Sequence, residues 1–415
     1  MAKGQGPEAR VAGRADIVVG IPTYNNRETI GGVVRAVKDG LARYFPDSAA
    51  ALVSPDGGST DGTREELRRA DAEDGRPILR DDVLGAGGET AAPYRGTQGR
   101  GAGYRLVFAA CKALGARACL VLDPDLRSIE PEWVDLLARP VLDENFDLAA
   151  PCYLTHKYDG TITSTIVYPM ARALYGLRIR QPIGWDFGLS GRMVELFLGE
   201  AAWDGNAPGL GVDIWMTSVA AAEGCRVCQS FLGQRLRRPG HGAADLSRTL
   251  AQVTGSLFGL MEKYTSVWME RRGSAEVPVF GRRQEVRVEP VEVNAERMVG
   301  IFRLGVRELG DIWREVLGRE TAAGLAEAAA RRPFDFPDEL WASVLYDLAS
   351  SWHRKVMNRE QMLKTLTPLY LGKVASFVSD TAESGSSGVE SRLEALCLAF
   401  ESRKPYLVQR WGLSG

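Results

Sequence analysis

Ala118-Cys-Leu-Val-Leu-Asp-Pro-Asp125 decides how this sequence is read. An apolar run of strand length ends abruptly in two carboxylates one residue apart. Such a run reads as a buried strand that delivers two acids to its carboxyl end. In open α/β sheets that end is where ligands bind. Paired carboxylates there suit an oxygen-preferring divalent cation such as Mg²⁺ or Mn²⁺; the plainer alternative is a solvated turn.

Upstream, the same unit recurs. Asp16-Ile-Val-Val-Gly-Ile-Pro22 reads as a strand closed by proline. It is followed by the turn Thr23-Tyr-Asn-Asn-Arg-Glu28 and a helix with Ile30, Val33, Val34, Val37, Leu41 and Phe45 on one face. Asn25 with Glu28 three residues on resembles a capping box. Ala50-Ala-Leu-Val-Ser is a second strand, running into Pro55-Asp-Gly-Gly-Ser-Thr-Asp-Gly62 and a charged helix, and Pro77-Ile-Leu predicts a third. Residues 85–103 are dense in glycine and precede a helix over Tyr104 to Leu114. The alternation predicts an α/β fold with a parallel sheet and helices on both faces, its polar loops meeting in one cleft. Glycines there permit close backbone approach to phosphates, with Arg100 beside them as a bidentate cation. The glycine stretch matches neither the dinucleotide fingerprint nor the P-loop.

Downstream, Asp147 to Tyr153 resumes strand character. In the polar segment after it, His156, Lys157, Asp159 and Thr163 suit a grip on a small anionic acceptor, the alternative being a solvated hairpin. Gln181-Pro-Ile-Gly-Trp-Asp186 is a compact loop, and Gly209 to Trp215 opens a helix with Asp213 in its first turn, where an acid also complements the helix dipole. A strand over Arg226 to Leu232 leads to Gln234-Arg-Leu-Arg-Arg-Pro-Gly-His-Gly242. There Arg235, Arg237 and Arg238 are placed to neutralise a diphosphate, or form a merely solvated basic loop. His241 is a candidate to complete a metal site with Asp125. Cys225-Arg-Val-Cys228 lacks a second cysteine pair and reads as two small buried residues.

These features divide the chain into a disordered lead over 1–15, a catalytic domain over 16–285 and a helical region over 286–415. In the last, Phe302, Val306, Leu309, Trp313 and Val316 keep helical spacing, His353 reads as an ordinary surface or packing residue, and Thr381 to Gly388 reads as a mobile loop. The helical region is expected to pack on the catalytic domain or to form a homodimer. Lys+Arg 51 against Asp+Glu 53 gives a net charge of -2, so no bulk field argues for nucleic acid or an anionic membrane. Six scattered cysteines form no disulfide framework, the start lacks the apolar core of a signal peptide, and no run is long enough to span a membrane. A cytoplasmic location is the expectation.

Ile17-Val-Val-Gly-Ile-Pro-Thr-Tyr-Asn25, the Asp56-Gly-Gly-Ser-Thr-Asp-Gly-Thr63 segment and Asp123-Pro-Asp125 resemble, in order, the nucleotide-sugar-binding half of glycosyltransferases with the GT-A (Rossmann-like) fold. That likeness implies a nucleoside diphosphate-sugar donor and a divalent metal. Gly99-Arg-Gly101, Gln181-Pro-Ile-Gly184, Asp213, His241 and the helical tail further resemble the retaining mannosylglycerate synthase and glucosyl-3-phosphoglycerate synthase group. These enzymes make glycosylated glycerates that serve as compatible solutes or polysaccharide precursors.

The resemblance implies that Pro22, Thr23, Tyr24, Asn26, Asp56, Gly58, Arg100, Asp123 and Gly184 bind the donor, with Asp56 at the base, Arg100 at the diphosphate and Asp123 near the ribose and sugar. Asp125 and His241 would hold the metal. Lys157, Asp159, Thr163 and Gly184 would bind the acceptor, GDP-mannose, GDP-glucose or UDP-glucose being the donors and glycerate or phosphoglycerate the acceptors. Asp213 and Asp123 would be catalytic. The chain departs from the group at Asn26, near a usual glutamate, at Arg100, a usual lysine, and at Trp185, which replaces the second glycine of a Gly-Gly pair. The rival readings are an inverting transferase acting on another acceptor and a non-catalytic nucleotide-sugar-binding protein.

Overall fold

In chain order β1 (Ile17–Gly20), α1 (Arg27–Tyr44), β2 (Ala50–Val53), α2 (Thr63–Ala72), α3 (Arg100–Leu114) and β3 (Ala118–Val121) realise the alternation expected from the sequence. The structure, a computed structural model, describes residues 13–84, 100–200, 211–237, 246–282 and 291–412. Most of the expected N-terminal lead, the glycine stretch 85–99, Arg238, His241, the Arg100 side chain and the expected boundary at 285 lie outside the described residues. Then follow α4 (Glu132–Leu142), β4 (Leu148–Leu154), a π-helical turn at Thr163–Val167, α5 (Tyr168–Tyr175), β5 (Phe187–Ser190), α6 (Gly191–Gly199), α7 (Val212–Ala222), β6 (Val227–Gln234), α8 (Leu246–Lys263), α9 (Thr265–Glu270) and β7 (Val279–Phe280).

The strands form one sheet in the order β2-β1-β3-β5-β4-β6-β7. Ile17 and Val19 face one side of it and Val18 the other, all fully buried, because helices cover both faces. The apolar stripes of α1 and α4 pack on the Ile17 side, and those of α3 and α6 on the Val18 side. β2, β1 and β3 are parallel and in register, as expected.

β5 departs from the expected parallel sheet. It runs antiparallel to both β3 and β4, pairing Val121 with Phe187. The carboxyl end of β3 therefore lies beside the amino end of β5, and the residue that enters β5 joins the acid pair. Gly188 lets α4 cross at this strand: a Cβ there would fall 2.0 Å from the Leu137 carbonyl oxygen.

Two local expectations are corrected. The segment at Pro77 makes no strand, only a single bridge between Leu79 and Leu52. Proline offers no N–H, and the Asp71 carboxylate takes the next two amides, Ile78 at 3.1 Å and Leu79 at 3.0 Å. The capping box also fails. Asn26, not Asn25, precedes α1 and makes no side-chain cap, while Asn25 sits at φ 54°, a left-handed conformation that asparagine tolerates.

The C-terminal region contributes α10 (Ala295–Glu308), α11 (Gly310–Val316), α12 (Arg319–Ala330), α13 (Asp338–His353), α14 (Arg359–Lys364), α15 (Leu366–Thr381) and α16 (Ser386–Gly412). These helices share one apolar core with the Val18 side of the sheet. Arg172 of α5, wholly buried, pairs with Glu394 at 2.5 Å and Glu401 at 2.7 Å on α16. The Trp341 indole donates to the Thr165 carbonyl at 2.7 Å. Instead of the loop expected over Thr381 to Gly388, residues 382–385 alone join α15 to α16, since Ser386 already begins a helix. His353 packs flat on Trp411, centroids 4.3 Å apart. No helix among the described residues is long and apolar enough to cross a membrane.

Candidate functional site

The loops that leave β1, β2 and β3 are fastened to one another by short polar side chains. After β1, Thr23 bridges to Asp56: its amide donates to the Pro55 carbonyl at 2.9 Å and its hydroxyl to Asp56 Oδ2 at 2.9 Å. Asp56 also accepts from the Gly58 and Ser59 amides at 2.9 and 2.7 Å and from the Ser59 hydroxyl at 2.7 Å, so it organises the loop that contains it. Gly58 and Gly62, at φ 89° and 91°, supply the left-handed turns that bend this loop back toward β1. Pro22 and Thr23 are buried at the floor, Tyr24 is half-buried, and the Tyr24 amide donates to Asn26 Oδ1 at 2.6 Å.

Asn26 connects these loops to the acid pair. Its Nδ2 donates to Asp125 Oδ1 at 2.8 Å, while its own amide donates to Thr63 Oγ1 at 2.8 Å. Asp123 and Asp125 are buried at the mouth of β3, and the Asp125 amide donates to Asp123 Oδ1 at 3.1 Å. Asn26 and Asp123, expected at the donor, thus meet at Asp125, expected at the metal, and Thr23 with Asp56 forms the adjoining wall.

The basic loop after β6 closes this mouth. Backbone bonds hold it there: Arg127 N–H donates to the Leu236 carbonyl at 2.9 Å, and Leu236 N–H to Ser128 Oγ at 2.9 Å. Arg235 Nη2 lies 2.5 Å from Asp123 Oδ2. Arg237 Nε lies 2.9 Å from the same oxygen, with its Nη2 3.4 Å from Asp125 Oδ2. Both guanidiniums lie over Trp185, Arg237 at 3.8 Å and Arg235 at 4.7 Å from the ring centroid. Two of the three arginines expected to neutralise a diphosphate, Arg235 and Arg237, are here paired with the acids.

Asp186 and Tyr153 complete the cluster, and neither was singled out from the sequence. Asp186, wholly buried, accepts from the Asp123 amide at 2.8 Å and from the Tyr153 hydroxyl. Burial pushes its carboxyl up, the Arg235 charge opposes this, and Asp123 adds to it, leaving a pKa of about 6. Burial, and then the Asp186 charge, push the Tyr153 phenol up. Burial disfavours the Arg235 charge, yet the tyrosine and both carboxylates raise its pKa above the ordinary guanidinium value. The available sequence signal for Asp186 was an acid directly before an apolar strand, the mirror of the pattern that identified Asp123, where the acid follows the strand.

Around this centre the Gln181–Asp186 loop is clamped to β4. The Gln181 side chain accepts from the Tyr153 amide at 2.7 Å and donates to its carbonyl at 3.0 Å. Gly184 passes so near β4 that a Cβ would fall 2.1 Å from Pro151 Cγ. Asp213 is buried in the first turn of α7. One turn on, Thr217 donates to the Pro182 carbonyl at 2.9 Å, so the face shared by both residues is turned to this loop.

The polar segment after β4 makes no hairpin: residues 157–160 form a turn that leads into helical residues from 161, and it docks on the C-terminal helices. Lys157 donates to the carbonyls of Thr381 at 2.7 Å, Ala382 at 2.9 Å and Ser384 at 3.3 Å. Thr163 opens the π-helical turn, and Asp159 is exposed in the preceding turn. Cys225 and Cys228 are buried, and burial pushes the Cys228 thiol up to about 12, in keeping with packing rather than redox chemistry.

No protein-family model matches this chain, and no curated protein matches it. Among solved structures it is similar to glucosyl-3-phosphoglycerate synthase from Mycobacterium tuberculosis. The complex with phosphoglyceric acid is 24% identical over 62% of this chain and 82% of that one, with a TM-score of 0.43. The complex with Mn²⁺, uridine diphosphate and phosphoglyceric acid is 24% identical over 61% and 80%, with a TM-score of 0.44. A mycobacterial protein is 22% identical over 60% and 75%, with a TM-score of 0.45. Overlap of this extent leaves function to be argued from the chain's own residues.

Proposed function

We propose that this chain is a GT-A glycosyltransferase. It takes a hexose from a nucleoside diphosphate-sugar and transfers it, with retention, to glycerate or a phosphoglycerate. The observation that carries the reading is the tie from Asn26 Nδ2 to Asp125 Oδ1, which joins the loop after β1 to the acid pair after β3. With Thr23 and Asp56 in the adjoining wall, a nucleoside end and a metal end lie in one cleft at the carboxyl ends of parallel strands.

The acid pair fits a divalent metal. Its donors are hard carboxylate oxygens, and the structure already places cationic groups against both acids. Among the described residues no third histidine, cysteine or acid completes a metal cluster. Mg²⁺ and Mn²⁺ commonly take one or two protein carboxylates and fill the remaining positions with phosphate and water. Asp125, with His241 as the resemblance implies, would hold the metal, which when bound supplies positive charge at the diphosphate leaving group.

The other roles belong to the chain. Pro22, Thr23, Tyr24 and Asp56 with Gly58 cradle the nucleoside, Asp123 faces the ribose and sugar, and Arg100 meets the diphosphate. Gly184 gives the sugar and acceptor close backbone approach. Lys157 and Thr163 receive the anionic end of the acceptor, with Asp159 in the same acceptor-binding set. Asp213 orients acceptor or sugar while the departing phosphate takes the hydroxyl proton.

The test is turnover of GDP-mannose, GDP-glucose and UDP-glucose, each with D-glycerate and 3-phosphoglycerate plus Mg²⁺ or Mn²⁺, with NMR assignment of product anomers. An α product from an α donor is expected; a β product sinks retention. Metal-dependent nucleotide binding without transfer or hydrolysis would leave a binding protein instead. Asp125→Ala should lower metal-dependent turnover by about 100-fold or more, and unchanged turnover would remove the acid pair from the reaction.

A further inference from the structure

We propose that Arg237, backed by Arg235, is the resident counter-ion of the acid pair, so that a divalent metal and a guanidinium compete for Asp123 and Asp125. The inference rests on the reading above only in taking the pair as the metal site. Arg237 spans both acids, at 2.9 Å from Asp123 Oδ2 and 3.4 Å from Asp125 Oδ2, and Arg235 lies 2.5 Å from the first of these oxygens. Among the described residues Asp123, Asp125 and the wholly buried Asp186 share this mouth with the two guanidiniums, Arg235 also lying 3.8 Å from Asp186 Oδ2. A metal arriving there meets oxygens of Asp123 and Asp125 already paired with guanidiniums, whose positive charge opposes its approach.

The arrangement is built. The bridge between Leu126 and Arg237 and the bond from Arg127 N–H to the Leu236 carbonyl fix the backbone of the basic loop against the strand-end loop. The Trp185 ring lies 3.8 Å from the Arg237 guanidinium carbon and 4.7 Å from that of Arg235, holding both planes at the acids by cation–π attraction. Trp185 is the residue by which the chain departs from the glycine pair of the group it resembles, and the departure supplies the shelf on which the guanidiniums lie. When a metal takes the oxygens, Arg237 is released beside them. Its natural next partner is then a planar or tetrahedral anion such as a diphosphate. Metal and diphosphate therefore assist each other's binding by way of Arg237.

The experiment is a nucleotide-free titration of the full chain with Mn²⁺, reading free Mn²⁺ by EPR, for wild type, Arg237→Lys and Arg237→Gln. Removing the competitor should tighten Mn²⁺ binding by about tenfold in Arg237→Gln. Arg237→Lys keeps the charge but loses the fork that reaches both acids, so it should fall between the two. Thermal melts establish that each variant is folded, and either variant suffices if the other is not. Mn²⁺ affinity equal to or weaker than wild type in a folded variant overturns the proposal. Repeating the titration with UDP separates it from the transferase reading. UDP should raise Mn²⁺ affinity more in wild type than in Arg237→Gln. If UDP changes neither protein while the nucleotide-free difference persists, guanidinium and metal still compete and the nucleotide-sugar reading is what fails.

Discussion

Asp186 gives the site a pH signature of its own. Its pKa is raised from 3.8 to about 6, so the native state holds this proton more tightly than the unfolded chain does. Its contribution to stability is therefore complete below the unfolded value and is lost as pH rises through about 6. Asp186→Asn keeps an acceptor for the Asp123 amide and removes the titration. Between pH 4 and 7 wild type should lose roughly 2–3 kcal/mol relative to this variant. Denaturant unfolding at several pH values measures it, and parallel curves would show that Asp186 does not titrate in this window. Asp123 and Asp125 were legible in the sequence because an apolar run breaks on them. The charge of Arg237 was legible too, but not its partner, since nothing in a run of arginines says which acid lies opposite.

Among the elements, β1, β2 and β3 could be read because helices bury both their faces and leave nearly unbroken apolar sequence. β5 could not. Phe187-Gly-Leu-Ser190 is as long as β1, β2 or β3, but glycine and serine break its apolar run, and its antiparallel direction follows from the path of the chain between β4 and β5 rather than from any residue within it. That direction is what brings Asp186 to Asp123, so the missed strand and the missed acid are one omission. β5 also depends on Gly188, where α4 leaves no room for a Cβ. Because the obstructing atom is a backbone carbonyl, Gly188→Ala must displace a helix or the sheet. Its cost should reach about 3 kcal/mol or more, seen as a lowered melting temperature, and an unchanged melt would mean that α4 moves freely against β5.

For the whole molecule, the question is how firmly the helical region is joined to the sheet. The core on the Val18 side runs through both without interruption, and Arg172, wholly buried, is held by Glu394 and Glu401 from α16. Glu401 is 18% and Glu394 41% exposed, so Arg172→Ala strands chiefly Glu401 and should cost about 3 kcal/mol. Fluorescence and circular dichroism should still report one coincident unfolding transition. Separate transitions would show two independently stable parts. The helical character of this region was legible from the spacing of Phe302, Trp313 and Val316. That it packs on the catalytic domain was one of two readings open to the sequence. Which surfaces meet was not legible, because a shared apolar core and ties such as Trp341 to Thr165 and Lys157 to the end of α15 join residues far apart in the chain.

Lys157 makes that docking something that can be timed. A lysine ammonium has three hydrogens, and here carbonyls at the end of α15 accept them. Should an anionic acceptor draw this ammonium away, the last turn of α15 loses the cation that closes it. Backbone amides near residues 378–385 should then exchange their hydrogens for deuterium severalfold faster with 3-phosphoglycerate present than without it. Exchange that stays level while the acceptor demonstrably binds would mark Lys157 as a fastening and nothing more. Were the acceptor to bind there, the end of α15, remote in sequence, would serve as a clock for its arrival.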